Sequence, residues 1–395
     1  MTAASRTPGA VLAGASVAQV SVSLVNFGLP AIGPELLDDY DLSLFELGAV
    51  LSAGLLGAGV ALIAAGVLVD RIGARRSMLL GTAVAAVGLG AAAGAGSKHV
   101  LFWSLVLFGV GSAVVPIAGT GALFRAYPPA RRGWALGVRQ TAVPLGGAIA
   151  AVAYPALYAL GGTSLTLAVS AAAVALSGVG FALGLGDDEP RVARRRGRAL
   201  GEILRAPGVV TLLGVAACYI VVLQALLAYL VPAVRDAGFS QLTASIAYFG
   251  VNAAAMVARI VWGSVADRGG GSRRVRTLVE VGVLAAVGAL VFALALHAGA
   301  VAVVLAAIVF GLGALGWNAL VYVSAGERVD PSLAGRSVAV AATVVFILSG
   351  VATPLLGALV DAVGWDALWV ATAVVAGTGA FLAHRLPPQR VADAV

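Results

Sequence analysis

Twelve stretches of 20 to 27 residues, each carrying no more than two Asp, Glu, Lys or Arg, are separated by breaks rich in charge, proline or glycine. About 20 mostly apolar residues are what an α-helix needs to cross the hydrocarbon core of a bilayer. The stretches are 9–31, 43–68, 77–96, 100–124, 133–159, 163–185, 208–231, 240–265, 276–297, 299–323, 335–360 and 365–384. They predict an all-α polytopic membrane protein of twelve transmembrane helices. Composition excludes the other classes. Only 11% of residues are charged and 61% are hydrophobic, where a soluble domain carries roughly 25% charge and a disordered chain carries still more. The net charge of +7 is not gathered on one polar face, so nucleic acid is not an expected partner.

The first stretch is longer than a signal-peptide core and has no basic cluster before it, so it is expected to be a retained helix rather than a cleaved leader. Orientation follows from the 25 basic residues, because cytoplasmic loops retain positive charge. With loops assigned alternately to the two sides, 21 fall on one side, in groups around Arg6, Arg71, Arg125, Arg191 to Arg205, Arg268, Arg328 and Arg385. The other side holds Lys98 and Arg235, and Glu35, Asp38, Asp39 and Asp41 crowd its first loop. The basic side is therefore cytoplasmic and contains both termini. The expected organisation is an N-terminal six-helix bundle at 1–186, a basic cytoplasmic linker at 187–207 and a C-terminal six-helix bundle at 208–395.

The two halves repeat. Phe108-Gly109-Val110-Gly111 returns as Phe310-Gly311-Leu312-Gly313, and Gly133 as Gly335, both at an offset of 202. Gly66-Val-Leu-Val-Asp70-Arg71-Ile-Gly73 returns as Gly263-Ser-Val-Ala-Asp267-Arg268-Gly-Gly270 at an offset of 197. Transporter folds commonly carry such duplications.

Gly-x-x-x-Asp-Arg-x-Gly followed by two arginines, between the second and third stretches and echoed between the eighth and ninth, resembles the signature loop of the major facilitator superfamily. The resemblance covers essentially the whole chain and implies two pseudo-symmetric six-helix bundles. It also implies a gate that closes the cytoplasmic side, which falls on Gly66, Asp70, Arg71 and Gly73 and on Gly263, Asp267 and Arg268, with Glu327, Arg125 and Arg336 as charge partners. Gly66 and Gly263 are expected to allow close helix approach, and the acids to accept hydrogen bonds from an arginine or a helix N-terminus.

Ionisable groups inside a membrane are costly and mark function by default. Two lie in the helix bodies, Arg139 and Arg259, and no acid lies near the centre of any stretch. A buried cation with no fixed anion nearby favours an anionic ligand. The position of Arg259, four residues before Gly263, resembles that of the substrate-binding arginine of monocarboxylate transporters and of the oxalate:formate antiporter, although Ile260 stands where those have proline. Its alternative is to snorkel toward Asp267, about 12 Å away along the helix. Arg139 lies about 10 Å from Arg132 and has the same two readings. The Pro144, Gly146, Gly147 cluster behind it reads as a kink that frees backbone carbonyls. Further candidate contacts are Gln19, Tyr219, Gln224, Trp317 and Asn318, with Asn252 two turns from Arg259 on one helix face.

The chain has no phosphate-binding loop that would make it its own ATPase, no nucleophile motif, and histidines too scattered to hold a metal. No enzyme activity, cofactor or metal is expected. The expected function is secondary active transport by alternating access in the cell membrane, the chain acting as a monomer on a small organic anion such as a carboxylate, with protons as a candidate coupling ion and lipid as its surroundings. The rival readings are export of neutral or lipophilic compounds, and a transport-inactive receptor or scaffold.

Overall fold

The computed structural model describes residues 7–185, 199–268, 270–330 and 333–387. Among them every regular element is helical. The N-terminal elements are α1 (Pro8–Gly28), a 3-10 turn (Leu29–Ile32), α2 (Gly33–Tyr40), α3 (Leu44–Ala93), α4 (Lys98–Ser112), α5 (Val114–Ala126) and α6 (Pro129–Gly184). The C-terminal ones are α7 (Ala199–Arg205), α8 (Val209–Asp236), α9 (Gln241–Asp267), α10 (Gly270–Ala295), α11 (Ala300–Ala314), α12 (Asn318–Glu327), α13 (Ala334–Val363) and α14 (Trp365–His384). The chain divides into two compact units, Met1–Arg194 and Arg195–Val395. Most of the basic linker expected at 187–207, including Asp187, Glu189 and Arg191, lies outside the described residues.

Ten helical runs among the described residues are long and apolar enough to cross a membrane. Two of them are far too long for one crossing: α3 has 50 residues and α6 has 56, about 75 and 84 Å at 1.5 Å per residue against a core of about 30 Å. Each is broken by glycine, α3 at Gly73 (φ 83°, ψ 164°) and α6 at Gly161 and Gly162 (φ 64°, ψ −164°). The positive φ at Gly73 and Gly162 is a conformation that a Cβ would strain. Large apolar side chains face outward along the helices, among them Val60 at 81% exposure, Leu160 at 79% and Leu294 at 72%. A water-soluble chain does not leave such apolar faces bare; lipid is the solvent they fit.

Lipid gives no hydrophobic drive for one helix to bury against another, so close van der Waals packing through small residues has to hold the units together. The repeated Phe-Gly-x-Gly segments show this. A Cβ on Gly109 would lie 2.9 Å from the Ala58 backbone nitrogen of α3, and one on Gly111 2.9 Å from Ala85 Cα. In the second unit Gly313 would meet Ala285 Cα of α10 at 2.8 Å and Gly311 would meet Val251 Cα of α9 at 3.2 Å. Phe108 and Phe310 are fully buried beside them. The expectation that Gly66 and Gly263 serve close approach is corrected: a Cβ at either would meet nothing within 4 Å. These two sit beyond the packed middle of their helices, near the turns that follow.

Hydrogen bonds at helix ends repeat at the same two offsets. Ser43 caps α3 by accepting the Glu46 backbone N–H at 3.2 Å, and Ser240, 197 residues on, caps α9 by accepting that of Thr243 at 3.2 Å. Asp39 accepts from Thr163 Oγ1 at 2.7 Å and Tyr158 OH at 2.8 Å, and Asp236 accepts from Trp365 Nε1 at 2.8 Å. Asp39 and Asp236 again stand 197 apart. Thr163 and Trp365 follow the positive-φ residues Gly162 and Gly364, each pair 202 apart. In both units a carboxylate from an early helix thus fastens the glycine joint between the last two helical segments. Two unlike donors do one job, which a comparison of side chains alone would miss.

Alanine is favoured over glycine by about 1 kcal/mol in a helix interior, while overpacking costs about 1–3 kcal/mol. Gly109→Ala is therefore expected to lower the thermal unfolding midpoint in detergent by a few degrees, and Gly263→Ala to leave it unchanged or raise it. Equal shifts for the two variants would contradict this packing account.

Candidate functional site

In the N-terminal unit, Arg139 of α6 is 4% exposed and points at α5. Its Nη1 donates to the Pro116 carbonyl at 3.1 Å, and Thr120 Oγ1 donates to the same oxygen at 2.7 Å. The guanidinium fits there because Gly119 has no side chain: a Cβ would sit 2.7 Å from Nη1. Arg139 Nε has no hydrogen-bond partner among the described residues. Among the described residues one of its five donors is engaged, which leaves this planar fork able to bind a carboxylate bidentately. Gln19 of α1 is buried and donates to Ser23 Oγ at 3.4 Å. Pro144 does not break α6, whose non-helical residues are Gly161 and Gly162. Close behind it Gly146 packs on α1, where a Cβ would lie 2.7 Å from Ser23 Cβ and 2.9 Å from the Leu24 backbone nitrogen.

In the C-terminal unit, Arg259 of α9 is half-buried. Asn252, two turns away, is 1% exposed and donates to the Tyr248 carbonyl of its own helix at 2.9 Å. Tyr219 of α8 is buried between α10 and α14, where Gly282 and Gly379 make room for its ring. Its hydroxyl donates to the Leu278 carbonyl at 2.6 Å. Trp317 is fully buried, with its ring centroid 6.0 Å from that of Tyr219. Gln224 donates to Thr353 Oγ1 of α13 at 2.8 Å, and Tyr229 OH to the Thr353 carbonyl at 2.7 Å. Tyr219, Gln224 and Asn252 therefore bond within the unit. Arg259 and Asn318 keep partial exposure.

The residues matched to the signature loops lie at helix ends. Asp70 is half-buried and Arg71 exposed, and Gly73 supplies the positive-φ break after them. Asp267, Arg268, Arg125 and Arg336 are exposed. Glu327, expected as a charge partner of these loops, meets a cation that the sequence reading did not single out. Its partner is Arg274, whose Nη1 donates to Glu327 Oε2 and whose Nη2 lies 3.7 Å from Asp267 Oδ1. Arg274 is 7% exposed. In the sequence it stands in a row of arginines that orientation alone would explain; its burial between α9 and α12 is a property of packing. Nearby, Arg328 donates to the Pro207 and Pro387 carbonyls at 3.2–3.3 Å, fastening both neighbouring segments to the end of α12.

A family model described as Major Facilitator Superfamily matches residues 14–353. Two proteins described as uncharacterized MFS-type transporters, from Mycobacterium tuberculosis strains CDC 1551 / Oshkosh and ATCC 25618 / H37Rv, are each 28% identical over 351 residues, covering 87% of this chain and 77% of theirs. Among solved structures, a bacterial homolog of the human lysosomal transporter Spinster, in an inward-facing and unoccupied conformation, aligns with a TM-score of 0.81 at 16% identity over 96% of this chain and 97% of that one. A D-xylose-proton symporter aligns with a TM-score of 0.77 at 13% identity over 98% and 99%. At these identities the structures show a shared fold.

Removing Arg274 takes away a nearly buried cation and its packing and leaves Glu327, 45% exposed, without its partner beside the end of α12, at a cost of about 1 kcal/mol; exposed Asp267 contributes little of that. Arg274→Ala is expected to lower the thermal midpoint by several degrees and Arg268→Ala by less than about one. Arg274→Lys should recover only part of the loss, since one ammonium does not reach both acids. Circular dichroism melts in detergent would decide, and indistinguishable melts for Arg274→Ala and Arg268→Ala would refute the assignment.

Proposed function

This chain belongs to the major facilitator superfamily and is a multi-pass membrane transporter rather than an enzyme, and from that premise we propose that it moves a small organic anion, a carboxylate, by alternating access. The observation that carries this reading is Arg139: a cation 4% exposed in a transmembrane helix, held by one carbonyl, in a chain whose helix centres contain no acid. A charge kept at that cost is stabilised when an anion arrives. Arg259 is the proposed primary anchor in the C-terminal unit, half-buried on the helix that packs against the break carrying Trp317 and Asn318. Arg139 is the proposed anchor in the N-terminal unit. Export of neutral compounds through an aromatic-lined cavity finds less support, because Tyr219, Tyr229, Tyr248 and Trp317 are all buried.

The acids around Asp70 and Asp267, with Arg274 and Glu327, act as the gate. Coupling to protons proceeds without a carboxylate in the helix centres: the ligand's own carboxyl group carries the proton. Lowering the pH on the side of uptake then raises transport, and abolishing the pH gradient lowers it.

The test is uptake of radiolabelled lactate, oxalate and benzoate into proteoliposomes, with and without a pH gradient. Wild type is expected to accumulate at least one of them. Arg259→Ala should reduce its uptake at least tenfold, Arg259→Lys less so, and Arg139→Ala by several-fold with a raised KM. Unchanged uptake in Arg259→Ala would remove the anchor, and absence of anion uptake in wild type would reject the substrate class.

We propose further that α3 and α6 each cross the bilayer twice, giving twelve crossings with both termini in the cytoplasm of a cell whose plasma membrane holds the protein. In a Cys218→Ser background, a membrane-impermeant maleimide added to intact cells should label Ser97→Cys and spare Ser5→Cys. Labelling of both positions would overturn the topology.

A further inference from the structure

The break between α11 and α12 has a donor supplied from another helix. α11 ends at Ala314 and α12 begins at Asn318, so the chain leaves the helix over Leu315, Gly316 and Trp317. In an unbroken helix the Leu312 carbonyl would receive the N–H of Gly316. The Trp262 indole of α9 takes that place, its Nε1 donating to Leu312 O at 2.9 Å. The indole lies in the notch left by Gly316, where an added Cβ would run into the ring and come within 3.0 Å of Nε1. A backbone carbonyl released inside a membrane must find a donor within the protein, and an indole N–H can do nothing but donate.

Trp262 stands three residues after Arg259, on the same face of α9. One helix face therefore carries both Arg259 and the indole that answers the break, and Ala258, next to Arg259, faces the same notch, where a Cβ on Gly316 would lie 3.3 Å from its Cβ. The repeat has no counterpart of this device. At the offsets of 197 and 202, Trp262, Leu312 and Gly316 correspond to Ala65, Val110 and Val114. There the junction of α4 and α5 is the single residue Ala113, which keeps a helical conformation (φ −56°, ψ −26°). The feature is thus specific to the C-terminal unit and to the helix that carries Arg259.

We infer that Trp262 is a positioning residue for transport: its indole N–H fixes the angle of the α11–α12 break, and through the shared face of α9 it links that angle to what Arg259 holds. The link to a ligand rests on Arg259 being the anion anchor; the hold on the break does not. Trp262 itself touches no ligand in this scheme. Its loss should slow the conformational step and leave the affinity of Arg259 for a carboxylate nearly unchanged.

The test pairs amide hydrogen exchange of the ligand-free, full-length protein in detergent with uptake of the labelled carboxylates. Trp262→Phe keeps an aromatic ring and removes the donor. It should raise exchange across 313–321 about tenfold and lower maximal uptake about tenfold, with KM within about twofold of wild type. Trp262→Gln, which restores an N–H donor, should recover part of the protection, as a merely space-filling role would not. Gly316→Ala, which keeps the donor and fills its notch, should raise exchange in the same segment. Arg259→Ala should reduce uptake at least tenfold while exchange across 313–321 stays within twofold of wild type. Exchange across 313–321 within twofold of wild type in both Trp262→Phe and Gly316→Ala would overturn the inference. If wild type transports none of the carboxylates, the anion reading fails and the exchange result alone judges the hold on the break.

Discussion

Inside a bilayer a backbone N–H or C=O has no water to turn to, so every departure from regular helix must be answered by another group of the protein. The departures observed here follow that constraint. Gly73 and Gly162 turn the chain at the ends of apolar runs. Asp39 and Asp236 fasten the glycine joints in the two units. The break between α11 and α12, within a single apolar run, is answered by the indole of Trp262. Where the helices are regular, their association depends on small residues, since lipid rewards contact no more than a neighbouring helix does. Gly109 and Gly313 matter for what they lack.

The same constraint sorts the charges. Arginines at helix ends can reach water or headgroups at little cost. Arg139 is held inside by one carbonyl and a missing side chain at Gly119, and Arg274 is buried where two acids meet it. One of these has its counter-charges built in and reads as structure and gate. The other does not, and that difference is the physical basis for assigning an anionic ligand.

Much of the fold was legible in the sequence because hydrophobic length and the placement of arginine are properties of the chain read in order. The Phe-Gly-x-Gly and Asp-Arg repeats were legible for the same reason, and the offsets of 197 and 202 also locate the paired caps at Ser43 and Ser240. The packing role was misplaced. Gly66 and Gly263 look like close-approach glycines from their spacing, yet open space surrounds both, and the intimate contacts fall on Gly109 and Gly111. Glycine is the same letter in a turn, at a helix crossing and on an open face. The helical backbone of α6 likewise runs through Pro144, and its break comes at Gly161 and Gly162 further on.

The polar candidates divide along the same line. Arg139 and Arg259 stand out because charge in an apolar run is costly wherever the helix points. Tyr219, Gln224 and Asn252 carry no such mark of direction, and only the assembled unit shows that each bonds inward, to Leu278, Thr353 and Tyr248. The amino-acid order by itself determined that this chain lives in a membrane, that its halves are copies, and which cations lie in its helices. Tertiary structure decided which glycines touch, that Arg274 answers Glu327, and that Trp262 holds the α11–α12 break, because those depend on which helices become neighbours, and in an all-round apolar helix no periodicity announces the neighbour.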